Sequence, residues 1–195
     1  MSIHSRMRGT LLPVLFLVSG FSNAATLTFD DIPGATINSA GSIGNYNGFD
    51  FSVNLSWVDT VNRAWESDGL YYGSISGYFT MVNDNNGMGI ITEESGNDFT
   101  FDGLYARTWG NDNRVQHIVG LKDSAVVWDS EITLTSAWTY YSGVSGSIDE
   151  LQLDLGDNFI VDNLEMTAVP LPAALYLFAT GLLGLSGVLR VKKSA

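Results

Sequence analysis

Hydrophobic and polar residues alternate one by one in many stretches of the chain, and helical spacing is nearly absent. "GFDFSVNLSW" is the clearest stretch. Phe49, Phe51, Val53, Leu55 and Trp57 fall on one side of an extended chain; Asp50, Ser52, Asn54 and Ser56 fall on the other. That spacing predicts one half-buried strand with a wet face. "TLTFDDI", "GYFTMV", "DFTFDGLYA", "VQHIVGL", "AVVWD", "EITLT" and "DELQLDL" give further short strands, and "NFIVDNLEMTAV" closes the series. Clusters of Gly, Asn, Asp and Ser separate them. "NDNNGMGIITEE" reads as a wide hairpin loop turning near Asn86-Gly87, and "GSISG" and "GVSGS" as Gly/Ser turns. Short strands at this spacing predict an all-β domain, an antiparallel β-sandwich, with a jelly roll the first choice within that class.

Two places disturb the alternation. In "FIVDNLEM", Phe159 and Val161 share one phase and Leu164 and Met166 share the other. Either a bulge falls near Asp162, or Ile160, Asp162, Leu164 and Met166 face inward together and a buried carboxylate needs a partner. Asp31 continues the phase of Leu27 and Phe29 at the edge of the first strand. First and last strands of sandwiches often lie side by side, so Asp30 or Asp31 is expected to meet Asp162 or Asn163. Those oxygens suit a calcium ion; the competing reading is aspartates capping backbone amides.

The two ends follow a different pattern. Residues 1–24 have the parts of a secretory signal peptide: a basic start with His4, Arg6 and Arg8, an apolar run "LLPVLFLVSG", and Ser22 and Ala24 at the −3 and −1 positions of a cleavage site. Residues 25–168 then form the sandwich domain. Residues 173–189 carry no charge and would span about 26 Å as a helix, near the hydrocarbon thickness of a bilayer. Arg190, Lys192 and Lys193 follow at once, as a stop-transfer cluster held on the cytoplasmic side.

Charge separates the body from its ends. All 21 acidic residues lie between Asp30 and Glu165, against four bases, Arg63, Arg107, Arg114 and Lys122, a net of −17. Such a surface repels nucleic acid and anionic lipid. The chain has no cysteine, which excludes disulfides and thiolate metal sites. His117 is the body's one histidine, so paired-histidine metal sites are excluded, and it alternates with Val115 and Val119 as a strand residue. Glu93-Glu94 and Asp149-Glu150 are adjacent carboxylates. Neighbours on a strand point to opposite faces, so they make poor pairs for glycoside hydrolysis. No catalytic residues are assigned, and an enzyme acting on a glycan is the least favoured reading. Trp65, Tyr71, Tyr72, Tyr78, Trp109, Trp138, Tyr140 and Tyr141 fall in or near loop-like stretches. Exposed rings beside Asp and Asn suit the apolar faces and hydroxyls of sugars, and Trp65, Tyr71 and Tyr72 in "WESDGLYY" form the patch expected to bind ligand.

Val169-Pro170-Leu171-Pro172-Ala173, then an apolar run with Gly181, Gly184 and Gly187, then a basic tip, resembles the VPLPA-type sorting signal of the PEP-CTERM family of exported proteins. The likeness covers residues 169–195. The commoner form has Glu in place of Leu171. The resemblance implies a Gram-negative exported protein, inserted in the inner membrane with its body outside the cytoplasm. It further implies processing by an exosortase-like protease, and an association with exopolysaccharide and biofilm matrix at the cell surface. The body resembles, more loosely, sandwich domains carried by such proteins, which open with a strand like Phe29-Asp30-Asp31 and close with one like Val161-Asp162-Asn163. What this implies is a non-catalytic structural or binding module, or a calcium-dependent lectin-like module.

Overall fold

The computed structural model describes residues 24–62, 71–83, 87–110, 112–156 and 158–169, with Phe178 and Gly181. The chain divides into a unit Ser22–Pro170 and a unit of Met1–Phe21 with Leu171–Ala195. In the second unit only Phe178 and Gly181 are described, both helical. The signal peptide, apart from Ala24, lies outside the described residues. So do Pro170, Leu171, Pro172 and Ala173, nearly all of the apolar run, and Arg190, Lys192 and Lys193. Among the described residues no helix is long and apolar enough to cross a membrane.

The first unit is all-β. In chain order its strands are β1 Ala24–Leu27, β2 Ala40–Ser42, β3 Asn45–Tyr46, β4 Phe49–Phe51, β5 Leu55–Asp59, β6 Phe79–Asn83 and β7 Gly89–Glu93. There follow β8 Phe99–Thr108, β9 Arg114–Lys122, β10 Ala125–Leu134, β11 Thr139–Ile148, β12 Glu150–Asp154 and β13 Phe159–Ala168. They form two antiparallel sheets. One runs β11-β8-β13-β6-β5-β2, with β1 also paired to β13; the other runs β10-β9-β12-β7-β4-β3. Phe99, Leu104, Phe159 and Val161 from the first sheet and Phe49, Ile91, Leu151 and Leu153 from the second share one hydrophobic core. That arrangement is consistent with a β-sandwich.

"GFDFSVNLSW" is two strands, not one. β4 belongs to the six-stranded sheet and β5 to the seven-stranded sheet. Between them Leu55 N donates to Ser52 O at 2.9 Å, closing a turn whose tip, Val53, is 91 % exposed. Alternation continues across the corner because both strands aim apolar residues at the same core. The stretch expected to be a wide hairpin loop, Asn83–Glu94, instead crosses between the sheets and holds β7. "GVSGS" is also not a turn. It lies inside β11, where a Cβ on Gly143 would sit 2.0 Å from the Phe101 carbonyl oxygen. Only glycine lets the two backbones approach so closely. "AVVWD" and "EITLT" are one strand, β10, joined to β9 through Asp123 and Ser124, both at positive φ, as a two-residue hairpin requires.

The end of the chain behaves as a bulged strand. Register passes from Asp162 opposite Tyr105 to Glu165 opposite Gly103, and Asn163 has φ of 47°. The extra residue returns Leu164 and Met166 to the core side that Phe159 and Val161 already occupy. Asp162 shares its phase with Ile160 and faces away from that core. It is fully buried nonetheless. Ile75 and Ser76, just before β6, account for this, because their amides bond to the Asp162 carboxylate. β5 and β6 are buried at all five positions each.

Candidate binding face and the aspartate clasp

β1 pairs with β13 from Ala24 opposite Thr167 to Leu27 opposite Leu164, so the first and last strands lie side by side as expected. This brings the two acidic positions to one segment. Asp162 Oδ2 accepts hydrogen bonds from the backbone amides of Ile75 (2.7 Å) and Ser76 (2.9 Å), and its Oδ1 accepts from Asn163 N (2.7 Å). Asn163 Oδ1 accepts from Ser76 Oγ at 2.6 Å. Asp30 Oδ1 accepts from the amides of Tyr78 (2.7 Å) and Phe79 (3.1 Å). Asp31 is drawn elsewhere and accepts from the Tyr46 hydroxyl. Burial, with the Asp31 bond adding to it, raises the pKa of that phenol.

Two carboxylates therefore hold residues 75–79 by their amides, one on each side of Gly77. A Cβ on Gly77 would fall on the Asp30 carboxylate, 2.0 Å away, and its φ is 51°. This is the capping role that competed with calcium in the sequence. A calcium site needs six to eight converging oxygens. Here the aspartate oxygens face N–H groups, Asp31 turns to Tyr46, and among the described residues no group of three acidic or histidine side chains is placed to hold a metal. These bonds favour the capping role for Asp30 and Asp162. Millimolar calcium should leave the melting temperature of the full chain unchanged in a thermal scan; a rise of several degrees would show that these oxygens reorient around the cation.

The expected aromatic patch is divided. Trp65 lies outside the described residues. Tyr71 is exposed at 63 %, whereas Tyr72 is 3 % exposed and presents no ring face to solvent. Tyr72 acts as an anchor instead. Its ring lies 4.4 Å from that of Trp109 between centroids, and its carbonyl accepts from Arg107 Nη1 (3.0 Å) and Trp138 Nε1 (3.2 Å). The Arg107 guanidinium also sits over the Tyr72 ring, 5.1 Å from its centroid.

Of the residues beside this anchor, the sequence singled out Trp138 and Tyr140 among its aromatics but missed Tyr105 and Arg107. Alternation along β8 puts Leu104 and Ala106 in the core, so Tyr105 and Arg107 face outward. Tyr140 of β11 stands opposite Tyr105, their ring centroids 5.0 Å apart, and its hydroxyl donates to Glu165 Oε2 at 3.0 Å. That bond is the first cause of the raised Tyr140 pKa. Trp138 immediately precedes β11 on the same side. The face thus carries adjacent rings, hydroxyls and one guanidinium. The signal that could have found it is the Tyr105-x-Arg107 spacing within a strand whose other phase is apolar.

The remaining sequence candidates lie apart from this face. His117 is on the outer side of the six-stranded sheet, with Nδ1 2.7 Å from Asp129 Oδ1. That bond is the first cause of its raised pKa, with Asp129, Glu131 and Asp154 charges acting in the same direction. Glu93 Oε2 accepts from the amides of Ser95 and Asn97, each at 2.8 Å, and Asp149 Oδ2 from Asp123 N at 2.7 Å. Glu93 fixes the turn that follows it, and Asp149 reaches across to the β9–β10 hairpin.

No protein-family model and no curated protein matches the chain.

Proposed function

We propose that this is an exported protein of the Gram-negative cell envelope or surface matrix, delivered by its signal peptide and by a PEP-CTERM-type tail that an exosortase-like protease processes. Its β-sandwich body works there as a non-catalytic binding module. One observation carries the reading. The last backbone bond described for the sheet is Val169 N to Asp98 O, 2.8 Å, and the proline motif begins at that residue. The last strand ends at Ala168, one residue before the motif, and the compact β-unit runs Ser22–Pro170, which supports reading residues 169–195 as a tail separate from the body. Strand order supports a jelly roll: the eight strands β6 to β13 fall into two four-stranded rows, β6-β13-β8-β11 and β7-β12-β9-β10, with β9 and β10 the one consecutive pair in the same row.

The rings on the outer face favour a saccharide as the bound partner over a purely structural role. Sugars present flat C–H faces to aromatic side chains and hydroxyls to Tyr and Asp.

The test is topological. Protease added to intact spheroplasts of a Gram-negative host should digest the body of the full chain, and deletion of residues 2–24 should leave it protected. Protection of the undeleted chain would overturn the export reading.

A further inference from the structure

The four bases of the body differ in one respect. Arg114 has Asp112 at 3.6 Å, and Lys122 has Asp98 and, at 3.7 Å, Asp149. Arg63 lies outside the described residues. Arg107 has no carboxylate partner among the described residues, although acidic side chains outnumber basic ones 21 to 4 in this body. Among the described residues its donors reach neutral acceptors, Nη1 to Tyr72 O at 3.0 Å and Nε to Thr108 O at 3.3 Å. The guanidinium is half-buried against the Tyr72 ring, and burial is the main cause of its lowered pKa. A partly desolvated cation with no counter-ion is costly in a folded protein. No described carboxylate is placed beside it, and that leaves the guanidinium available to an external anion.

The surroundings narrow the anion's chemistry. A bare phosphate would need several donors, and one arginine is present. A carboxylate is matched by one guanidinium fork. Beside it Tyr105 and Tyr140 supply ring surface at 5.0 Å separation. Glu165, which faces Gly103, supplies an acceptor for hydroxyls four residues along β8, about 13 Å from Arg107. A ligand that fits has a carboxylate, flat C–H faces and hydroxyls, repeated over more than one ring.

We propose that the outer face of the seven-stranded sheet binds an acidic saccharide, with Arg107 pairing the carboxylate of a uronic acid unit and Tyr105 and Tyr140 holding the adjoining ring. This rests on the saccharide-binding reading above and sharpens it to one ligand class. The body's net charge repels a dense polyanion at range, but at physiological salt that field is screened beyond about 8 Å. Recognition at contact then favours spaced carboxylates over a continuous anionic run.

The test uses the full chain in detergent at 150 mM salt, titrated by calorimetry. The probes are short oligomers of glucuronic, galacturonic and mannuronic acid, each beside its carboxyl-reduced counterpart. At least one acid should bind about tenfold or more tighter than its reduced form. Arg107→Gln should erase that difference, and Arg107→Lys should restore only part of it, since lysine keeps the charge and loses the fork. Equal affinity for acid and reduced forms overturns the assignment while leaving saccharide binding intact. Binding of neither form by the parent protein overturns both. The comparison of ligands within the parent decides the question even if an Arg107 variant unfolds.

Discussion

Asp162→Ala is expected to destabilise the protein by about 3 kcal/mol, because three backbone amides and the Ser76 hydroxyl lose their shared acceptor in a buried place. For a chain of this size that is a fall of roughly 10 °C in Tm, read by near-ultraviolet circular dichroism. Asp30→Ala removes two amide bonds at a less buried position and should cost less, about 1 kcal/mol. The two losses should not add, because both carboxylates hold the same segment. An Asp162→Ala protein that melts with the parent would mean that residues 75–79 hold their place without the clasp.

The same residue gives stability a pH slope. Burial is the main cause that raises the Asp162 carboxyl to about 6, with the Asp30 charge adding to it and the amides of Ser76, Asn163 and Ile75 opposing it. Between about pH 4 and 6 the folded protein holds a proton on Asp162 that the unfolded chain has already lost. Stability from this group is therefore greatest below pH 4 and falls as the pH rises through 6. Asp162→Asn cannot titrate, so relative to the parent it should gain about 2–3 kcal/mol between pH 4 and pH 7. A stability difference that stays constant over that range would place the carboxyl at its ordinary pKa.

The outcome at Asp162 also shows what alternation along a strand reveals and what it leaves hidden. Sheet faces were legible because period-two patterning survives any arrangement of strands: Leu151 and Leu153 are buried while Asp154 is exposed, as the sequence requires. Patterning also located the disturbance near Asp162, but left a bulge and an inward-facing Asp162 as alternatives; the register shift and the positive φ of Asn163 decide for the bulge. It could not locate the corner at Val53. A strand that switches sheets keeps the same side toward the common core, so the sequence looks uninterrupted. Nor did it identify β11, whose glycines resemble a turn until the close approach of Gly143 to Phe101 is seen. The binding face was hidden for a related reason. Tyr105 and Arg107 read as the wet side of an ordinary strand, and only the fold places them beside Tyr140 and beneath the loop that carries Tyr72. The aspartates show the limit of composition as a guide to ligands. Asp30, Asp59 and Asp162 all accept backbone amides at loop ends, Asp59 from Asn38, Val61 and Asn62. Acidity that suggests a cation in the sequence is partly spent on holding loops.

The second large effect lies in the tail. Changing Pro170 and Pro172 together to Ala should abolish processing, so that only full-length protein accumulates in the membrane fraction of a host with an exosortase. Proline lacks an N–H and fixes φ, and it restricts the residue before it to extended conformations. Val169 and Leu171 each precede a proline, so this sequence favours an extended strip directly after the sheet's bond from Val169 N to Asp98 O. Proteases commonly take substrates in extended form, paired through the main chain. Alanine at both positions removes the restriction and has the highest helix propensity, which lets the apolar run from Ala173 extend backwards toward the domain. Leu171→Glu provides the contrast: it keeps both prolines and matches the commoner form of the motif, so processing should persist. If the double alanine variant yields the same short product on a gel as the parent, the cleavage does not depend on the proline motif and the sorting reading fails. If Leu171→Glu also stops cleavage, the protease reads the apolar side chain, not the chain's extended shape.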